Sequence, residues 1–285
     1  MKIIKIALLL LSTSTLAKNI SEYEPDGEMQ TLSAFGDLSG GDWVEKLDGS
    51  KGPAWVDNKN GRLEFPNQIC TNFGDIEAVA QSRIGYAWAV NEARDGMIEY
   101  NLDNCSTGRK VMFGLFGGGD GIEGLEVAPD GVTFYLLAET SATIYTFVDD
   151  GVSQSVNPQA LFVVPNCTNA GDLAIRQDSM VIACESRPNI VEYSLSGDFI
   201  SSNDKVVFTN TEVVYFTDAG FCAGGEPNQL QCYTVDPGPV DPPPVEDYET
   251  CTFTGEIEVN AATGEFEAQT VIFDCPTATA SGTIQ

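Results

Sequence analysis

The sequence predicts an all-β fold and, within that class, a β-propeller of about five blades. Three observations carry this expectation. Short apolar runs rich in β-branched and aromatic residues recur between Gly, Asp and Ser, as in residues 86–90 (YAWAV), 132–138 (VTFYLLA) and 180–184 (MVIAC); such runs read as buried strands. One phrase is written twice, CTNFGD at 70–75 and CTNAGD at 167–172. Around that phrase a longer unit repeats: an Asp, a strand, a turn, a second strand, an acidic residue, and a third strand ending in an aromatic residue eight positions after the acid. Glu92 and Tyr100, Glu139 and Phe147, and Glu185 and Tyr193 keep this spacing.

Two weaker copies extend the series. Asp57 stands eight residues before Phe65, and Gly225, in place of the acid, eight before Tyr233. The leading acids are then Asp42, Asp75, Asp120, Asp172 and Asp218. Four-strand units of this length are the signature of propeller blades. A β-sandwich is the alternative architecture, and six blades with one degenerate is the alternative count. The in-register spacings favour five.

In chain order, residues 1–17 read as a secretory leader: Lys2 and Lys5, an apolar run, and small residues ending at Ala17, the expected cleavage point. The run is too short to span a bilayer comfortably, and no later segment approaches the ~20 apolar residues a membrane helix needs. Residues 30–235 hold the propeller. Within it, 128–131 (APDG) is a turn. Residues 110–116, 160–165 and 212–216 read as fourth strands of their units. The fifth unit stops at Val235 without a fourth strand. Residues 31–35 (TLSAF) are expected to supply it and so cover an open edge. Residues 236–247 (DPGPVDPPPVED) form a stiff linker. Residues 248–285 read as a small hairpin module turning at 260–264 and stapled by Cys251 and Cys275. The final SGTIQ reads as the start of a strand, from a truncated frame or one that another chain completes. So short a module needs a staple or a partner.

Eight cysteines in an exported chain imply disulfides. The expected pairs are Cys167–Cys184, Cys222–Cys232 and Cys251–Cys275, which leaves Cys70 with Cys105. Asn19, Asn104 and Asn166 stand in N-x-[ST] sequons.

Composition narrows the chemistry. The net charge is −28, and loss of the leader's two lysines makes the mature chain more acidic still. Nucleic acid and anionic lipid are repelled by such a field. There is no histidine. This excludes a Ser-His-Asp triad, a Cys-His pair, a His-ligated zinc and a His base. Carboxylate, Tyr, Lys, Ser and Cys chemistry remains, as does hard-cation binding at oxygen.

In a propeller, the loop entering the innermost strand and the loop joining the second and third strands share one face. The repeat therefore gathers carboxylates from several blades around one mouth. Asp75, Asp120, Glu123, Glu139, Asp172 and Glu185 are the candidate metal ligands, with Ca²⁺ the natural cation because it accepts 6–8 oxygens in flexible geometry. Glu77, Glu92, Arg94 and Arg187 are the candidate ligand contacts, Glu77 and Glu123 facing the central channel. The competing reading makes each Asp a cap on its own turn.

Residues 74–80 (GDIEAVA) and 120–131 (DGIEGLEVAPDG) resemble the D-[IF]-E-G-[LM]-x-x-x-[DP] phrase of phytase-like and SdiA-regulated-type extracellular propellers. The resemblance covers units two to four and departs at unit four, where Ala174 replaces the Glu. It implies a secreted propeller, often with Ca²⁺ on carboxylates, here best matched by Asp120, Glu123 and Glu139. Phytase-like catalysis also requires clustered bases for phosphate. Here Arg83, Arg94, Arg109, Lys110, Arg176 and Arg187 are scattered. The sequence therefore reads as a secreted or periplasmic, non-enzymatic propeller that binds an extracellular ligand or protein, with a Ca²⁺-dependent phytase-like or esterase-like hydrolase as the alternative.

Overall fold

The computed structural model describes residues 18–71, 74–91, 96–114, 121–165, 167–187, 189–235, 252–254, 269–274 and 279–284. The chain divides into two compact units, Met1–Asp236 and Pro237–Gln285.

The first unit is a five-bladed β-propeller. Strand β1 (Tyr23–Thr31) precedes the first full blade, which is β2 (Leu38–Glu45), β3 (Lys51–Asp57), β4 (Arg62–Phe65) and β5 (Gln68–Thr71). Blade two is β6 (Ile76–Arg83), β7 (Tyr86–Asn91), β8 (Gly96–Asn101) and β9 (Thr107–Phe113). Blade three opens with β10 (Ile122–Val127), β11 (Thr133–Ala138) and β12 (Thr143–Val148). The chain then returns as β13 (Ser155–Val156), which pairs in parallel with β9, before β14 (Gln159–Val163) completes blade three. Blade four is β15 (Ala170–Arg176), β16 (Ser179–Cys184), β17 (Ile190–Ser194) and β18 (Phe199–Asn203). Blade five has three strands of its own, β19 (Thr211–Phe216), β20 (Gly220–Gly225) and β21 (Gln229–Val235).

The N-terminal strand closes the ring, as the unfinished fifth unit requires. It is β1, pairing antiparallel with β21 from Tyr23↔Val235 to Thr31↔Gln229, and not residues 31–35, of which only Thr31 belongs to it. The outer position is decided by a pocket further upstream. Ile20 is fully buried among Val214, Phe221 and Tyr233 of blade five and Val181 and Ile190 of blade four. The buried Glu192 carboxylate accepts Ile20 N at 2.8 Å, Ser179 Oγ at 2.8 Å, Ser201 Oγ at 3.0 Å and Arg176 Nη2 at 3.2 Å. Asn203 Nδ2 donates to the carbonyls of Ile20 and Tyr23. Phe35 instead packs edge-on against Trp55 at the seam between blades five and one.

A second correction concerns residues 212–216. They form the innermost strand of blade five, not the outermost of blade four; β18 holds that place. The run EVVYF is apolar enough for either position. Only the count of strands around the ring assigns it.

Five buried clusters each fill one boundary between successive blades. The aromatic residues that end the third strands lie in these clusters: Phe65 and Tyr100 between blades one and two, Phe147 between two and three, Tyr193 between three and four, and Tyr233 between four and five. That explains the spacing read from the sequence. In blades two to five this large flat side chain fills the gap toward the preceding blade, whereas Phe65 fills the gap toward the following one and Phe35 and Tyr215 take that role between blades five and one.

Cys70–Cys105, Cys167–Cys184 and Cys222–Cys232 are bonded, as paired from the sequence. The first is the surprising one. Cys70 lies on β5, the outer strand of blade one, and Cys105 in the β8–β9 turn of blade two, so the bridge ties neighbouring blades. Cys251 and Cys275 lie outside the described residues, as do residues 1–17, read as a leader, and 236–247, read as a linker.

The second unit holds β22 (Thr252–Thr254), β23 (Gln269–Asp274) and β24 (Thr279–Ile284) in one antiparallel sheet of that order. The terminal strand anticipated at SGTIQ is β24, and it pairs with β23 of its own chain.

Candidate functional site

Each innermost strand carries a register break near its start: Leu38/Gly40, Ile76/Val79, Ile122/Gly124, Ala170/Asp172 and Thr211/Val213. A bulge re-aims the extra residue. In three blades that residue or its neighbour is a glutamate: Glu77, Glu123 and Glu212. On the same face, the residues just after the second strands include Glu139, Glu185 and Glu226. Acids of blades two to five thus stand at the same end of their strands, and Glu212 lies within electrostatic reach of Glu139, Glu185 and Glu226.

Glu226 corrects the fifth unit. Thr211 pairs with Gly225 as Ala170 pairs with Cys184 and Ile122 with Ala138. The position after Cys184 is Glu185, after Ala138 it is Glu139, and after Gly225 it is Glu226. The hairpin here is one residue shorter, so a fixed count of eight back from Tyr233 lands on Gly225 and misses the acid.

Burial pushes the Glu212 carboxyl up to about 8, helped by repulsion from Asp37, Glu226, Glu185 and Glu139. Asp37 is itself raised, by burial and then by Glu226 and Asp57. Glu77 is almost fully buried and accepts Asn58 Nδ2 at 2.6 Å. Arg187 is exposed in the turn that carries Glu185. Glu92, Arg94 and Asp120 lie outside the described residues. Among the described residues, no three acids are already drawn together as a metal cluster.

The leading acids do not share one position. Asp75 stands in the loop before β6, where the repeat expects it. Asp218 lies in the turn between β19 and β20, on the opposite face, because the inner strand of blade five precedes it. Asp42 and Asp172 lie inside the inner strands β2 and β15. Asp57 is a turn cap: its carboxylate accepts the N–H of Gly36, Asp37 and Asn60 at 3.2–3.3 Å and Asn60 Nδ2 at 2.7 Å, and pairs with Arg62 at 3.3 Å.

A deeper tier of acids sits between the inner strands. Each inner strand pairs with its blade on one edge only, so the other edge presents N–H groups that need acceptors. Asp42 takes Gln81 N and its neighbour Trp43 N, both at 2.6 Å. Glu126 takes Val127 N at 2.8 Å and a backbone bond from Ile175 on the next blade. Asp172, with no exposure, takes Leu173 N at 2.8 Å, Val214 N at 3.1 Å and Gly41 N at 3.2 Å. Burial raises the carboxyl of Asp42 to about 7 and lifts Glu126 and Asp172 well above the usual range; Asp42 and Asp172 also repel Glu126. These acids stitch strand to strand. Glu126, Glu212 and Glu226 were not singled out from the sequence, although an acid inside an otherwise apolar inner strand was the available signal for the first two.

Fold and mouth together define the class: a five-bladed β-propeller with an acid-lined face. No protein-family model matches the chain, and no curated protein sequence matches it. Among solved structures, it is similar to glutaminyl cyclase from Myxococcus xanthus (TM-score 0.56, 10% identity, 75% of this chain and 96% of that one). It also aligns with a chain of the nidogen/laminin complex (TM-score 0.47, 13% identity, 66% and 72%) and with virginiamycin B lyase from Staphylococcus aureus (TM-score 0.46, 9% identity, 70% and 66%). At these identities the likeness is one of fold alone.

Proposed function

We propose that this chain is an extracytoplasmic binding module whose acid-lined mouth takes a cationic ligand or partner, with Ca²⁺ the first candidate. The observation that carries the reading is the placement of Glu139, Glu185 and Glu226 just after the second strands of blades three to five, with Glu212 on the inner strand of blade five, its carboxyl raised by burial and by their repulsion. Like charges crowded in a half-buried site are relieved by a proton or by a cation, and oxygen ligands in a flexible ring suit Ca²⁺. Placement outside the cytoplasm is supported by the leader-like residues 1–17, by three disulfides and by the resemblance to secreted phytase-like and SdiA-regulated-type propellers. No helix among the described residues is long and apolar enough to cross a membrane.

Binding is favoured over phosphate-ester hydrolysis because three of the basic residues that could hold phosphate are already engaged. Arg83 pairs with Glu99, Arg109 with Asp149 and Arg176 with Glu192. The test is a thermal melt of chelator-treated protein with CaCl₂ against NaCl at equal ionic strength. A Ca²⁺-specific rise is expected, worth about 2.7 kcal/mol at a hundredfold excess over Kd, and reduced in Glu212→Gln. Equal effects of the two salts would mean simple screening and would overturn the cation reading.

A further inference from the structure

On the same face, beside Asp37 of the Glu212 group, whose carbonyl accepts Asn58 N at 3.0 Å, an open pocket of about 420 Å³ lies where blade one meets blade two. Its described walls are Asn58, Lys59, Asn60 and Gly61 from the turn after β3, and Gly74 and Asp75 from the loop entering β6. The volume falls in the range of small-molecule sites. The geometry points to a site for a small zwitterion, one that carries an ammonium and a carboxylate, with Asp75 receiving the first and Lys59 the second.

Two features carry this. The walls are fixed before any ligand arrives. Asn58 is held by Glu77 at 2.6 Å, and Asn60 by Asp57 at 2.7 Å. Asp57 is in turn locked by three backbone N–H groups and Arg62. The two backbones meet tightly at Gly61 and Gly74, where a Cβ on Gly61 would lie 2.9 Å from Gly74 O. Preorganised walls of this kind lower the ordering cost of binding.

The charged groups, by contrast, close no ion pair among the described residues, although Lys59 acts on Asp37 through space. Most described cations of this acidic chain are ion-paired: Lys18, Lys46, Lys51, Arg62, Arg83, Arg109, Arg176 and Lys205. Among the described residues Lys59 and Asp75 pair neither with others nor with each other, although they share one pocket. Opposite charges that line a common concavity without closing on one another leave room for a molecule that bridges them. A cation alone would meet Lys59, and an anion alone would meet Asp75. Each single charge is opposed and the pair is accepted.

The experiment is calorimetric titration of the full chain with glycylglycine, its C-terminal amide, which lacks the carboxylate, and its N-acetyl form, which lacks the ammonium. Glycylglycine should bind saturably, with Kd on the order of 1 mM, and each single-charge analogue should bind about threefold more weakly or worse, the scale of one exposed ion pair. Lys59→Met should erase the preference for glycylglycine over its amide, and Asp75→Asn the preference over its N-acetyl form. Lys59 is exposed and Asp75 half-buried, and a matching melt checks that each variant is folded. No binding of glycylglycine, equal binding of all three probes, or preferences unchanged in both variants would each overturn the site. Chelator is present throughout, so the outcome is independent of Ca²⁺ at the mouth.

Discussion

Asp172, on the inner strand of blade four, accepts the backbone N–H of Gly41, on the inner strand of blade one, at 3.2 Å, and the same oxygen takes Val214 N of blade five at 3.1 Å. One carboxylate therefore joins the inner strands of blades four, five and one. Gly41 permits the approach: a Cβ there would lie 2.8 Å from Val213 Cγ1. Asp172→Asn should destabilise the propeller by about 1–3 kcal/mol, the range for leaving a buried N–H without an acceptor. Urea unfolding would read this as a lower midpoint at unchanged slope; a wild-type midpoint would show that the seam does not depend on the carboxylate.

The N-terminal clamp should be the more sensitive point. Glu192→Ala removes the acceptor for Ile20 N, two serines and Arg176 at once and leaves Arg176 half-buried beside a cavity. Breaking a buried pair from one side typically costs about 3–5 kcal/mol. Hydrogen exchange should show β1 and β21 losing protection together, and retention of that protection would contradict the clamp.

Stability should fall as pH rises from about 5 to about 8. Asp42 is raised in the folded state from 3.8 to about 7, and Glu212 from 4.5 to about 8. Between the unfolded and folded values the native state keeps a proton that the unfolded chain has released. That contribution is complete below the unfolded value and is lost as pH climbs through the folded one, at up to about 1.4 kcal/mol per pH unit for each group. The opposite trend begins in acid, where Asp150, held at about 2 by Ser153 and by the backbone, and the lowered Asp48 and Asp130 become protonated. Melts across this range should peak on the acid side of neutrality. Asp42→Asn should flatten the slope below pH 7, and an unchanged slope would remove Asp42 as its source.

The bridge between blades one and two should be worth about 3–4 kcal/mol, from the loop entropy it removes. The paired change of Cys70 and Cys105 to Ala would show this as a lower Tm, and non-reducing peptide mapping should join those two cysteines and no others to each other. A Tm within a degree of wild type would mean that the blades hold their register without it.

Much of this protein was determined by its sequence alone. Strands were legible because alternation, β-branched content and turn residues are local properties. The blade repeat was legible because Tyr100, Phe147, Tyr193 and Tyr233 each pack toward the preceding blade, a shared task that keeps them at a near-constant distance from the acid. Cys167–Cys184 and Cys222–Cys232 were legible as local staples, whereas Cys70–Cys105 followed only by elimination, because the contact between blades that brings those two together is not written in either loop. The tertiary structure alone decided which strand stands innermost in blade five, since residues 212–216 suit either edge of a sheet and only ring closure chooses. It also decided that 23–31 rather than 31–35 closes the ring, because the choice rests on a pocket for Ile20 built by blades four and five. And it separated acids that look alike in the chain. Asp57 caps a turn, Asp42 and Asp172 satisfy the open edges of inner strands, and Glu212 and Glu226 crowd the mouth. Their roles depend on which backbone N–H groups and which other carboxylates the fold brings within reach, a relation between blades that no single stretch of sequence contains.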